Sequence, residues 1–270
     1  MIKSKRRAFT LIELLVVIAI IALLLGIITP ALKKAKDIAQ NLICSTNLRG
    51  IVTAWHLYSG DNGEKLCSAE TRYDTPTDEM PYWVWNPTIV GTAIPVTWVP
   101  PGDSYNPTQA EREEGLKCGL LWPYLETVDV FHCQSDKSKG GNFRSYSMPD
   151  SMNGSGWFIR TYEIYRSQGK IANPAGKIVL LEENDWRGCN FGSFIMDPTI
   201  EQWSDPLTVW HSGTSSFAFA DGHAEFRNWD HETVENFTKD PPEGGYVPTT
   251  PGGFEDIKWV LRGWSRPIRE

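Results

Sequence analysis

From Leu11 to Ile28 the chain reads LIELLVVIAIIALLLGII, apolar at every position except Glu13. Eighteen helical residues rise about 27 Å, close to the hydrocarbon thickness of a bilayer. A helix packed on a soluble core would keep a polar face, and this one keeps none. A cleaved secretory signal would have a shorter apolar run ending in a small-x-small site. Here the run ends in Thr29-Pro30-Ala31-Leu32-Lys33-Lys34. The pattern therefore predicts a retained anchor over residues 9–29.

Beyond Pro30 the all-round apolar character gives way to single stripes. Ala31, Ala35, Ile38 and Leu42 recur at helical spacing, and so do Leu48, Ile51, Trp55 and Tyr58. Such stripes fit a helix half embedded in a globular domain, continuing over residues 30–60. Ser59-Gly60-Asp61-Asn62-Gly63 supplies the stop. A helix from Phe9 to about Ser59 would span roughly 75 Å, with Pro30 removing one backbone hydrogen bond and kinking it.

Residues 61–270 read as short strands and turns. Strand-like runs are Tyr82–Trp85, Val128–His132, Phe158–Tyr162, Lys177–Glu182 and Ile257–Leu261. Glu111–Leu125 is the best helical stretch, interrupted by Gly115 and Pro123, while 71–81, 100–108 and 241–253 are Pro/Gly/polar loops. Residues 215–229 (SSFAFADGHAEFRNW) carry the clearest local signal: alternating apolar runs around Asp221-Gly222 predict a hairpin with a type I′ turn. No βαβ alternation is present. The fold class expected is α+β, a long N-terminal helix on an antiparallel sheet.

Charge narrows the partners. The formal net charge is −7, and removing Lys3, Lys5, Arg6 and Arg7 takes the remainder to −11. Such a chain repels phosphate backbones, so nucleic acid is not an expected partner. By the positive-inside rule the basic start favours an N-terminus inside, although Lys33, Lys34 and Lys36 leave a small margin. The five cysteines show no C-x-x-C spacing. Cys118 and Cys133 flank one hydrophobic stretch and are the first candidates for a disulfide; reduced, buried cysteines are the other reading.

No nucleophile elbow, His-Glu-x-x-His helix, Walker loop or dinucleotide fingerprint occurs, so an enzyme is not expected. Glu182-Glu183-Asp185 reads as a solvated turn, and His132 beside Cys133 as a chance neighbour. Twelve tryptophans are more than this length usually carries; they fill a core and interfaces, or they form a sugar-binding platform.

Glu13 is the informative exception in the anchor. A carboxylate in an apolar span costs about 2.5–3.5 kcal/mol and calls for a partner, or else snorkels to the interface, one turn away at the helix end. Lys5-Arg6-Arg7-Ala8 followed by Phe9-Thr10-Leu11-Ile12-Glu13 resembles the processing site of type IV prepilins and type II secretion pseudopilins. The resemblance implies removal of a basic leader, residues 1–8, by a prepilin peptidase that cuts between Ala8 and Phe9 and N-methylates Phe9. It also places the family's glutamate at Glu13 and its helix-bending proline at Pro30. One departure stands: Gly is usual before the cut, and Ala8 implies slower cleavage. In a filament of packed helices the new amine could meet Glu13 of a neighbouring subunit and set axial register.

His211 and Asp221-Gly222 are similar to the C-terminal His-x9-Asp-Gly element that accompanies such N-termini, within a hairpin region at 211–229. Leu120–Leu125 leading to His132-Cys133-Gln134-Ser135-Asp136 also looks like that family's middle, with Gln134 where proline is more usual. His211, Asp221 and His223 are a weak metal set, since two histidines and a turn aspartate do not close a ligand shell. Pseudopilins would allow Ca2+, yet no D-x-[DN]-x-[DN]-G loop appears.

The resemblance implies a pilin-like structural subunit of a type II secretion pseudopilus or a type IV pilus-like filament. Its partners would be other pilin-like subunits and an inner-membrane assembly platform. It would be a single-pass inner-membrane protein with its C-terminal domain in the periplasm or at the cell surface. The alternative is an anchored polysaccharide-binding protein.

Overall fold

The computed structural model describes residues 10–71, 82–85, 108–136, 144–154, 162–184, 193–238 and 245–265. The chain divides into two units, one ending at Ala39 and one beginning at Gln40. Helix α1, Leu11–Asp61, belongs to both.

In the first unit the apolar side chains from Leu11 to Leu32 are all exposed in the single chain, and Leu11 and Ile12 keep more than 70% of their surface. An apolar surface of that extent needs lipid or protein around it. Pro30 lies inside the helix without ending it, and Thr29 Oγ1 donates to Leu25 O at 2.7 Å, one turn back. The expected stripe over 31–42 is not buried: Ile38 and Leu42 are both exposed.

In the second unit the buried face of α1 starts at Cys44 and runs through Leu48, Ile51, Val52, Trp55 and Tyr58, as the second stripe predicts. The sheet is antiparallel in the order β1 (Tyr146–Ser147), β2 (Ile178–Glu182), β3 (Thr214–Phe219), β4 (Ala224–Asn228). Both faces of its centre are covered, which is why β2 and β3 are buried almost throughout. Ala218 and Ala220 share one apolar cluster with Leu48, Val52 and Trp55 of α1. Phe217 and Phe219 share the other with α4 (His231–Thr238) and α5 (Pro251–Gly263), through Phe237, Ile257 and Val260.

An irregularity in the β2–β3 register between Ile178 and Leu180 has a consequence for chemistry. Ile178 and Leu181 pack with the α4–α5 side, while Val179 and Leu180 both pack with the α1 side. Strict alternation would turn the following residue, Glu182, away from α1; the extra residue reverses that.

Several expected elements differ. Val128–His132 contains a 3-10 turn, Asp129–Phe131. Tyr82 forms an isolated bridge with Ser68 in place of the expected strand. Residues 257–261 are helical, because Ile257, Val260 and Gly263 are buried at a three-to-four spacing behind a Thr250 cap that accepts from Gly253 N at 3.1 Å. That helix also claims the end of the 241–253 loop. The 111–125 stretch splits into α2 (Gln109–Lys117) and α3 (Trp122–Leu125). The strand expected at 158–162 lies outside the described residues except for Tyr162.

The hairpin at Asp221-Gly222 is present with a different turn. Gly222 takes φ +95° while Asp221 keeps negative φ. Gly222 N donates to Phe219 O at 2.9 Å and Phe219 N to His223 O at 2.9 Å. A type I turn with glycine in the left-handed position, rather than type I′, closes the three-residue loop.

Candidate functional site

Four ligand-bearing side chains meet inside the second unit. Cys44 Sγ lies 3.0 Å from Cys133 Sγ, Cys133 Sγ 3.2 Å from His211 Nε2, and His211 Nε2 3.0 Å from Glu182 Oε1. All four ligand atoms lie within 4.8 Å of one another, and all four residues are buried.

Each side chain comes from a separate segment. Cys44 opens the buried face of α1, one turn before Leu48. Cys133 follows the 3-10 turn in a loop that Asn47 Nδ2 holds to α1 through His132 O at 3.2 Å. In that loop Cys133 N donates to Ser145 Oγ at 2.9 Å, and Ser135 N donates to Cys133 Sγ at 3.4 Å. Glu182 ends β2, and its Oε2 accepts from Ser216 N at 3.0 Å, leaving Oε1 toward the cluster. His211 sits in the tight turn entering β3, with Ser212 and Gly213 at positive φ and Thr214 Oγ1 donating to His211 O at 2.8 Å.

Proton affinities here are strongly displaced. The hydrogen bond with Cys133, then that with His211, pulls the Cys44 thiol down, while Cys133 is pushed up by Cys44 and by burial. Burial raises the Glu182 carboxyl despite His211. Burial would lower His211, but hydrogen bonds with Cys44 and Glu182 outweigh it and raise the imidazole. The two thiols thus share one displaced proton equilibrium beside an imidazole whose proton affinity is raised.

A thiol–histidine–carboxylate set invites comparison with a catalytic triad, and the geometry differs. In a triad the carboxylate holds one ring nitrogen and the nucleophile meets the other. Here Cys133 and Glu182 both approach Nε2, and Nδ1 is buried with no hydrogen bond.

The expected groupings resolve otherwise. Asp221 and His223 pair at the hairpin end, Oδ1 to Nδ1 at 2.6 Å, with His223 stacked on Phe219 at 4.4 Å. His211 stands at the opposite end of β3 among Cys133 and Glu182, so the three do not form one ligand set. Cys118 is not paired with Cys133: its Sγ faces Glu114 at 3.8 Å, while Cys133 faces Cys44. Cys44, Cys67, Cys118 and Cys133 are all free thiols, and Cys189 lies outside the described residues. Glu182 and Glu183 are not a solvated turn but are both buried.

At the other end of the chain, Thr10 and Glu13 form a reciprocal cap. Glu13 Oε2 accepts from Thr10 N at 2.8 Å and from Thr10 Oγ1 at 2.7 Å, and Glu13 N donates to Thr10 Oγ1 at 3.3 Å. This is the capping-box arrangement, repeated by Thr108 and Glu111 at the start of α2. Glu13 remains exposed. The helix behind it has a mean hydropathy of 3.2 over eighteen residues, with none of that window buried.

A family model described as the prokaryotic N-terminal methylation motif matches residues 3–29. This is a prepilin-type N-terminus. No curated protein and no solved structure matches the chain. Behind that N-terminus the chain has an apolar helix that fits a single-pass membrane anchor, followed by an α+β globular unit with an antiparallel sheet. Ala8 and Phe9 fall inside the matched span but outside the described residues. The His-x9-Asp-Gly region lies beyond the match.

Two residues of the buried cluster escaped sequence reasoning. Cys44 had a usable signal, since it stands four residues before Leu48 on the buried stripe. Glu182 had none: a carboxylate ending an apolar strand reads as the start of a turn, and only the β2 irregularity turns it inward.

Proposed function

We propose that this pilin-like chain is a structural subunit of a pilus-like or secretion-pseudopilus filament. It would be cut between Ala8 and Phe9 by a prepilin peptidase, methylated at Phe9, and drawn from the inner membrane with its globular unit outside the cytoplasm. The observation that carries this reading is the methylation motif at residues 3–29 on an apolar helix with a single carboxylate, Glu13. Methylation leaves the amine able to hold a charge, so it remains a fitting partner for Glu13 of an adjoining copy. In the isolated chain Thr10 satisfies that carboxylate.

Mass spectrometry of the mature N-terminal peptide tests the proposal. A peptide beginning with methylated Phe9 is expected. An intact Met1 terminus in cells that make functional filaments would overturn it. The polysaccharide-binding alternative gains no specific support: among the described residues Trp55, Trp83, Trp203, Trp229 and Trp264 are buried, and the other tryptophans are half-buried.

A further inference from the structure

We propose that Cys44, Cys133, Glu182 and His211 form a buried structural site for one thiophilic divalent cation, with Zn2+ the ion best matched to the donors.

The first argument is convergence. Four segments far apart in sequence each deliver one ligand atom to the same interior point. Burying a carboxylate beside two sulfurs is costly unless a positive charge answers it. His211 can supply one proton at Nε2, yet that nitrogen faces Glu182 Oε1 at 3.0 Å and Cys133 Sγ at 3.2 Å together. A single hydrogen cannot serve both well, whereas a cation at their centre contacts every donor.

The second argument is geometry. Zn–N and Zn–O bonds near 2.0 Å and Zn–S bonds near 2.3 Å place tetrahedral ligands about 3.3–3.8 Å apart. The separations here begin at 3.0 Å and all fall within 4.8 Å, so shifts of a few tenths of an ångström to about 1 Å admit the ion. Two sulfurs, one imidazole nitrogen and one carboxylate oxygen are each donor types that zinc takes, and together they supply the four ligands of a tetrahedral site. The hard, oxygen-rich shell of Ca2+ is not available here.

The surrounding donors form the third argument. Ser135 N–H points at Cys133 Sγ, and Ser216 N–H fixes the remote Glu182 oxygen. Such contacts orient ligands and spread their charge. Two thiolates and a carboxylate around Zn2+ leave one net negative charge, and these two N–H groups are directed toward it. Bound metal would tie the start of the buried face of α1 to the Cys133 loop, β2 and the entry to β3. The free energy of binding then becomes stability of that unit.

The test uses the full chain, purified in detergent from membranes without added reductant, and asks for metal content by elemental analysis. About one Zn2+ per chain is expected, with chelation lowering the melting temperature. Refilling the stripped, reduced chain with Co2+ should give the intense visible bands of a tetrahedral site and thiolate charge transfer in the near ultraviolet. Cys133→Ser and His211→Ala should weaken Co2+ uptake at least tenfold, and Cys118→Ser should leave it unchanged. The Co2+ spectrum of the unmutated chain stands even where a variant fails to fold. Three results would overturn the proposal: a Cys44–Cys133 disulfide in the chain as made, no uptake of Co2+ by the reduced chain, or uptake unaffected by Cys133→Ser in a folded variant.

Discussion

His211 Nε2 lies 3.0 Å from Glu182 Oε1, with both side chains wholly removed from solvent. Removing one member strands the other. His211→Gln takes away the imidazole set 3.0 Å from the buried Glu182 Oε1, at a cost of about 3–5 kcal/mol. Adding Glu182→Gln should recover a substantial part of that loss, because the double variant buries two neutral amides. Denaturant unfolding of the four chains, stripped of metal and kept reduced in detergent and followed by tryptophan fluorescence, checks this for the bare pair. Strict additivity would show that the two residues do not act as a unit.

The far side of the sheet makes a separate, steric prediction. Gly263 ends α5 against β2, where an added Cβ would stand 2.5 Å from Ile178 Cδ1. Ile178 is fully buried and has little room to retreat. Gly263→Ala should therefore destabilise the globular unit by about 1–3 kcal/mol, the usual cost of overpacking. A companion Ile178→Val should relieve part of the clash. The melting temperatures of the three chains decide it.

The anchor, the second α1 stripe and the 214–228 hairpin were legible because each rests on a local pattern. An unbroken apolar run, a three-to-four repeat and an Asp-Gly step need no knowledge of distant residues. The cluster at Cys44 was not legible for the opposite reason. Its members are 44, 133, 182 and 211, and only the packing of α1 on the sheet brings them together. Helix α5 was hidden by its Thr-Pro-Gly-Gly opening, which has the composition of a loop although Thr250 caps and Pro251 suits a first helical turn. The expected strand at 128–132 failed because β-branched and aromatic residues also suit a tight turn when tertiary contacts bury one side, as Phe131 is buried here.

Glu232 gives a prediction in pH. Its carboxylate accepts from Thr249 N at 2.7 Å, Thr250 N at 2.9 Å, Thr249 Oγ1 at 2.6 Å, Thr250 Oγ1 at 2.5 Å and Tyr246 OH at 2.5 Å. Burial is the largest single influence and opposes the charge, but these donors together outweigh it and hold the carboxyl well below the usual range. A depressed folded-state value stabilises above the unfolded value of about 4.3, and that stability is lost as pH falls through the folded value. Glu232→Gln should therefore cost about 1–2 kcal/mol at neutral pH, a modest figure because the site is close to solvent. The gap between parent and variant should narrow as melts are taken from pH 6 toward about pH 3. A gap that stays constant across that range would show that the charge contributes nothing.

Glu13 has two roles that one substitution separates. As the third residue of a capping box it satisfies Thr10, and glutamine serves that position equally well. As the carboxylate facing a neighbour's amine it needs its charge, which glutamine lacks. Glu13→Gln should therefore leave membrane insertion intact and strongly reduce recovery of the chain in sheared filaments. Thr10→Ala should instead loosen the helix end by about 1 kcal/mol while leaving both insertion and filament entry near the parent level. Immunoblots of membrane and filament fractions, with the N-terminal peptide mass to confirm processing in each variant, give the comparison. If Thr10→Ala blocks assembly and Glu13→Gln does not, the carboxylate acts on its own helix and axial register is set by other contacts.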